Sequence, residues 1–128
     1  GRGNGVVEGD TVIYGGSVPI GKIIEVFGNS SIVLLFSSFD TTTPIIVGSS
    51  TQAEARGKGL GSFEIRVPKG SPVKEGDLVR LRKSTYQLAL GTVGAVESIE
   101  SNPFQIAYFS YPVNPNNMSY VAIIKTNE

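Results

Sequence analysis

Val7-Glu8-Gly9-Asp10-Thr11-Val12 recurs as Lys74-Glu75-Gly76-Asp77-Leu78-Val79, and this pair of phrases decides how the rest of the chain reads. Each copy is followed by a glycine-led unit, first Gly21-Lys22-Ile23-Ile24-Glu25-Val26 and then Gly91-Thr92-Val93-Gly94-Ala95-Val96. Gly9 and Gly76 stand 67 residues apart and Gly21 and Gly91 stand 70 apart, so the spacing is kept within three residues. Each half runs as a polar Gly-Asp turn, an alternating strand, a loop, a glycine and another strand. That is the grammar of a small β-barrel built twice. The expectation is an all-β fold of two small interlocked β-barrel subdomains with little or no helix. It forms a single domain over residues 1–128, with repeat halves at about 5–50 and 62–128.

The composition agrees. Sixteen Gly and seven Pro punctuate short Val/Ile/Phe/Tyr runs, and a hydrophobic content of 40% suffices for a buried interior in 128 residues. Eleven Lys and Arg balance eleven Asp and Glu, so no overall field recruits nucleic acid or an anionic membrane. Arg80, Arg82 and Lys83 are candidates for a local basic patch. Cysteine and histidine are absent, which removes disulfides, thiolate and imidazole metal sites, the cysteine nucleophile and the commonest general base. No cofactor is expected. The longest apolar run, Ile32-Val33-Leu34-Leu35-Phe36, is far short of the ~18 residues of a membrane span, and no segment reads as a signal peptide. Any membrane anchor is expected to lie outside this sequence.

Along the chain, Gly1 to Gly5 reads as a flexible lead-in. Strands are expected at Thr11 to Tyr14 and at Val18 to Phe27, the latter long or bulged, with a hairpin turn at Gly28-Asn29-Ser30. Ile32 to Phe36, apolar on both faces, reads as a central strand, and Pro44 to Val47 as a short strand begun by its proline. Gln52 to Arg56 reads as a strand and Gly57 to Gly61 as a loop or bulge after it. Phe63, Ile65 and Val67 alternate with Glu64 and Arg66, the cleanest period-2 stretch present. Further strands are expected at Leu78 to Arg82, at Leu88 to Ile99 with a break near Gly91, at Phe104 to Tyr111 and at Tyr120 to Lys125. Pro112 to Asn117 reads as a loop.

Motifs that suggest chemistry fail on spacing or context. Gly57-Lys58-Gly59-Leu60-Gly61-Ser62 places its lysine too early for a phosphate loop, and a strand follows it where a helix is needed. Glu8/Asp10 and Glu75/Asp77 sit at strand entrances, where Asp ordinarily accepts local backbone N–H groups, and their duplication favours a structural role over a facing carboxylate pair. Lys69-Gly70-Ser71 and Lys83-Ser84 lie in solvated turns with no sign of dyad geometry. Asn29-Ser30-Ser31 and Asn117-Met118-Ser119 match a glycosylation sequon, as Asn-rich turns do by chance.

The aromatic segment Phe104-Gln105-Ile106-Ala107-Tyr108-Phe109-Ser110-Tyr111 is the candidate site. In a strand, Phe104, Ile106 and Tyr108 share one face while Phe109 and Tyr111 take the other. Such a strand is either central in a core or lies beneath a partner, and aromatics are enriched where interfaces concentrate binding energy. Phe104, Tyr108, Phe109 and Tyr111 are therefore candidate protein-contact residues, with Arg80 and Arg82 as rim charges.

The order of these phrases resembles the extracytoplasmic β-domain of the MreC family of bacterial rod shape-determining proteins. The similar pieces run from Gly5-Val6-Val7-Glu8-Gly9-Asp10-Thr11-Val12 and Gly21-Lys22-Ile23-Ile24-Glu25-Val26 through Asn29-Ser30-Ser31-Ile32-Val33-Leu34-Leu35 and Pro44-Ile45-Ile46-Val47. They continue with Ala55-Arg56-Gly57-Lys58-Gly59, Val73-Lys74-Glu75-Gly76-Asp77-Leu78-Val79, Gly91-Thr92-Val93, Pro103-Phe104 and Tyr120-Val121-Ala122-Ile123-Ile124. After Val79 the chain departs: Arg80-Leu81-Arg82-Lys83-Ser84-Thr85-Tyr86 stands where the family has a Thr-Ser-Gly turn and a Pro-x-Gly.

The resemblance implies a non-enzymatic scaffold of the cell-elongation machinery. Such a protein stands on the extracytoplasmic (periplasmic) face of the cytoplasmic membrane, anchored by an N-terminal helix and a coiled coil. It implies homo-oligomers, and protein partners that include the elongation penicillin-binding protein. The balanced charge, separately, argues against a nucleic-acid partner. A β-barrel module of another envelope system, such as a periplasmic adaptor, shares the glycine-punctuated strands and is the alternative. A hydrolase is disfavoured by the missing imidazole and thiol and by acids placed in turns.

Overall fold

The two Glu-Gly-Asp phrases fold into the same hydrogen-bonded device, atom for atom. In the computed structural model, which describes residues 5–83, 88–111 and 122–124, Gly9 and Gly76 take φ of 95° and 90°. A side chain is strained at that angle and glycine is not. The turn closes when Asp10 N–H donates to Val7 O (3.2 Å) and Asp77 N–H to Lys74 O (3.1 Å). Each aspartate then accepts at Oδ2 from the N–H three residues back, Val7 or Lys74, at 3.0 Å. The glycine-led units complete it. Gly9 N–H donates to Ile23 O and Gly76 N–H to Val93 O, both at 2.8 Å, while Ile23 N–H and Val93 N–H return bonds to Asp10 O (2.9 Å) and Asp77 O (2.8 Å). The repeat is thus a clasp that joins a turn to the next strand, made twice.

From the first clasp run β1 (Thr11–Tyr14), β2 (Val18–Phe27) and β3 (Ser30–Leu35). They pair antiparallel, with register shifts at Val12/Ile13 and Ile23/Glu25 that give β2 its expected bulged character. Then follow β4 (Thr42–Val47), β5 (Thr51–Gly59), β6 (Ser62–Pro68), β7 (Leu78–Leu81), β8 (Ala89–Thr92), β9 (Ala95–Ser98), β10 (Phe104–Ser110) and β11 (Ala122–Ile124). Among the described residues there is no helix, as the glycine and β-branched content predicts.

The strands form a four-stranded sheet in the order β11-β1-β2-β3 and a seven-stranded sheet in the order β8-β7-β4-β5-β6-β10-β9. β4, early in the chain, lies between β7 and β5, and β11, from the far end, pairs with β1 in the register Thr11↔Ile124. The halves of the chain are therefore interlocked. The seven-stranded sheet curls into a half-barrel. Its end strands β8 and β9 are separated only by Val93 and Gly94, Gly91 of β8 lies against the Phe109 ring of β10, and Gly94 N–H donates to Tyr108 O at 2.8 Å. Inside lie Ile45, Val47, Ala55, Phe63, Ile65, Val67, Val79, Leu81 and Ala107, continuous with Val12, Ile20 and Ile23 from the other sheet and with Phe36 just after it.

Four expectations are corrected. Ile32 to Phe36 is not central: β3 is an end strand, with Ile32 and Val33 43% and 37% exposed. Apolar residues on both faces do not require a neighbour on both sides, and after Leu35 the chain leaves to cross to the other sheet. β4 starts at Thr42, so Pro44 lies within it, where its carbonyl accepts from Arg82 N–H at 3.1 Å. Gly57 to Gly59 belongs to β5, with a bulge at Gly57/Gly59, and only Leu60 and Gly61 turn. The break in the Leu88 to Ile99 stretch falls at Val93-Gly94, where the second clasp takes Val93, and not at Gly91. The expected loop Pro112 to Asn117, the sequon at Asn117 and most of the Tyr120 to Lys125 strand lie outside the described residues.

Gly57 locks the two sheets together. Its α-carbon approaches the crossing segment so closely that a Cβ would stand 2.2 Å from Ser38 O, 2.5 Å from Ser37 C and 2.7 Å from Phe36 O. Around it Gly57 N–H donates to Thr41 O (2.8 Å), Asp40 N–H to Gly57 O (3.0 Å) and Gly59 N–H to Ser37 O (2.7 Å).

Candidate functional site

β10 runs between β6 and β9, and its pairing aligns Tyr108 with Glu64 and Ala95, and Ile106 with Arg66 and Glu97. Alternation along the strand then splits the four aromatic candidates. Phe104 and Tyr108 lie on the outer surface, 39% and 36% exposed, with half-buried Ile106 between them. Phe109 and Tyr111 point inward and are buried.

The inward pair is core, which removes both residues from the contact face. Phe63 stacks on Phe109 with ring centroids 4.5 Å apart and 6° between planes, and meets Tyr111 edge-on at 5.3 Å. Such geometry contributes about 0.5–1.5 kcal/mol per pair beyond area burial. The Tyr111 hydroxyl donates to Pro19 O at 2.6 Å, tying the half-barrel to β2 of the other sheet. Burial pushes the Tyr111 phenol far above its ordinary value, because the phenolate would be stranded in apolar surroundings.

The outward pair is set in charge. The Arg66 guanidinium lies 5.4 Å from the Phe104 ring centroid, and the Tyr108 hydroxyl donates to Glu97 Oε1 at 3.1 Å. The Tyr108 phenol is raised above its ordinary value, first by desolvation, then by the Glu97 hydrogen bond and the charges of Glu97 and Glu64. It therefore stays a neutral donor through the physiological range.

Arg80 and Arg82 are not the rim of this face. They lie at β7, which pairs with β4 and β8 and not with β10. Arg80 Nη2 donates to Gly48 O (3.1 Å) and Arg82 Nη1 to Gln52 Oε1 (3.3 Å), so both secure the β4–β5 turn region. The charges that do flank the aromatics are Glu64, Arg66 and Glu97. The alternation at Phe63 to Val67 already turned Glu64 and Arg66 outward, but only strand order shows that β6 adjoins β10. Residues of the other dismissed motifs are engaged structurally: Lys58 sits 5.4 Å from the Phe39 ring centroid and 3.8 Å from Glu64 Oε1, and Lys69 Nζ donates to Ile99 O (2.7 Å) and Glu100 O (2.8 Å). Among the described residues no three metal-ligating side chains gather.

Comparisons with known proteins agree with this architecture. The family model described as "Rod shape-determining protein MreC, barrel core" matches residues 1–125. Among solved structures, an MreC aligns with a TM-score of 0.85 at 25% identity, covering 97% of this chain and 74% of its own. The crystal structure of MreC from Pseudomonas aeruginosa gives 0.82 at 25% identity, covering 97% and 83%. An MreC from Listeria monocytogenes shares the fold, with 0.78 at 20% identity over 100% of this chain and 66% of its own. No curated protein matches the sequence.

Proposed function

Since the chain belongs to the MreC family of rod shape-determining proteins, we propose that it is a non-enzymatic scaffold of the cell-elongation machinery, which directs peptidoglycan synthesis and cell shape. It acts by self-assembly and by binding wall-synthesis proteins, among them the elongation penicillin-binding protein. Family members are membrane-anchored shape proteins with a periplasmic domain, and the proposal places this chain on the extracytoplasmic face of the membrane. No helix among the described residues is long and apolar enough to cross a membrane.

The observation that carries the reading is the match of the whole β architecture to this family, at TM-scores of 0.85 and 0.82. The half-barrel supports it by presenting an aromatic pair on a strand that is paired on both sides. Phe104 and Tyr108 form the proposed contact, bordered by Glu64, Arg66 and Glu97. An aromatic at the centre of such a contact contributes ~2 kcal/mol or more, about thirtyfold in affinity, whereas a rim charge contributes less.

Capture of the elongation penicillin-binding protein by the chain, with self-association read by sedimentation, tests the reading. Tyr108→Ala and Phe104→Ala are expected to weaken one or both by tenfold or more, with Arg82→Ala close to the parent. Equal binding by all three variants would exclude this face, and no binding by the parent chain would overturn the scaffold reading.

A further inference from the structure

A second site lies away from the aromatic face, where the two sheets meet. A cleft of about 280 Å³ opens between the β1–β2–β3 surface and the start of β4 with the end of β7. Thr11, Lys22 and Leu34 form one row across the first wall, each paired in register with the next. On the opposite wall Pro44 and Leu81 provide apolar surface, and Lys83 stands at the rim. Phe36 closes the inner end, and Thr41, Thr42 and Thr43 add hydroxyls along one side.

Charge distinguishes this cleft. Lys22 reaches it from β2 and Lys83 from the turn after β7, both are exposed, and no acidic residue lines it. The ion pairs among the described residues are Lys58–Glu64 and Lys74–Asp77, so neither cleft lysine has an acidic partner there. In a chain whose charges balance overall, two ammonium groups over an apolar floor make a local positive site.

We propose that this cleft binds an extended acidic peptide segment of a partner protein, in which carboxylate and apolar side chains alternate. Alternation at period two places carboxylates toward the lysine rim and apolar side chains toward Leu34, Pro44 and Leu81. Thr42, which is exposed, and Thr41, which is half-buried, carry hydroxyls that can bond to the peptide backbone. Free phosphate makes no use of the apolar floor, and a flat bilayer cannot enter a concave slot. The volume lies just below the ordinary range of ligand pockets, about 300–1,000 Å³, which suits a few residues and no large ligand.

The test is fluorescence anisotropy of a labelled Glu-Leu-Glu-Leu-Glu-Leu hexapeptide with the whole chain, together with mapping of amide shifts by NMR. Binding is expected to weaken about tenfold for each of Lys22→Glu and Lys83→Glu, and to weaken with added salt. The shifts are expected to fall on Lys22, Leu34 and Thr41 to Thr43. Both lysines are exposed, so thermal melts of the variants should match the parent. Tyr108→Ala should leave this binding unchanged, which separates the cleft from the scaffold contact. The proposal is overturned if the peptide does not bind, if Lys-Leu-Lys-Leu-Lys-Leu binds as well, if the reversals leave affinity unchanged, or if shifts map elsewhere. Equal competition by inorganic phosphate or anionic vesicles would likewise overturn it.

Discussion

Gly57→Ala tests whether the junction of the two sheets depends on a missing side chain. The added methyl would stand 2.2 Å from Ser38 O and 2.5 Å from Ser37 C, both backbone atoms that no rotamer change can move. To regain an ordinary contact the crossing segment must retreat by more than about 1 Å, in the range where overpacking costs about 1–3 kcal/mol. The same retreat stretches the bonds Gly57 N–H to Thr41 O, Asp40 N–H to Gly57 O, Gly59 N–H to Ser37 O and Gly61 N–H to Ser37 Oγ. Losing two of them adds about 2 kcal/mol. A total of roughly 3–5 kcal/mol is a large share of the ~5–15 kcal/mol of a typical domain, and should lower Tm by roughly 10–20 °C. Gly28→Ala is the control, because nothing lies within 4 Å of its Cβ position. Thermal and urea unfolding followed by circular dichroism measure both variants. If Gly57→Ala unfolds within about 0.5 kcal/mol of Gly28→Ala, the close approach does not lock the sheets and the reasoning is wrong.

The two clasps should respond alike but unequally: Asp10→Ala is expected to lose about 1–2 kcal/mol and Asp77→Ala about 1 kcal/mol, since Asp10 is fully buried and Asp77 is not, as urea titration would show. Peptide and partner binding should survive both once the protein is folded. Tyr111→Phe removes a buried bond to Pro19 O and should lower stability by about 1–2 kcal/mol at neutral pH. Because burial raises the folded Tyr111 pKa, the unfolded chain loses its phenolic proton first. The contribution is therefore fully present below pH ~10 and declines above it by up to about 1.4 kcal/mol per pH unit, a slope that Tyr111→Phe should flatten in alkaline melts. Leu60 holds φ of 53° while 72% exposed, so Leu60→Gly is expected to keep or raise stability by about 0.5–1 kcal/mol, and a clear loss would mean that its side chain is packed.

What the sequence alone determined about this protein is local. Glu-Gly-Asp turns, glycine spacing and period-two alternation depend on neighbours a few residues away, and they were sufficient for an all-β fold, for most strand positions and for the division of Phe104, Ile106 and Tyr108 from Phe109 and Tyr111. The repeated aspartates were also legible as turn acceptors, because that chemistry is completed within four residues.

Only the tertiary structure decided which strands adjoin. Strand order is set by how the whole apolar set is buried, and no single segment encodes it. β3 reads as central from its own residues yet ends a sheet, because the chain after Leu35 leaves to cover the other one. Arg80 and Arg82 stand nearer to Phe104 in the sequence than Glu64 and Arg66 do, yet β7 does not pair with β10, while β6 borders it directly. The inward aromatics become core because the half-barrel curls until Phe63 meets Phe109 and Tyr111. The cleft holding Lys22 and Lys83 has no signature at all in the chain, since residues 61 positions apart face one another only after two sheets have packed around Gly57.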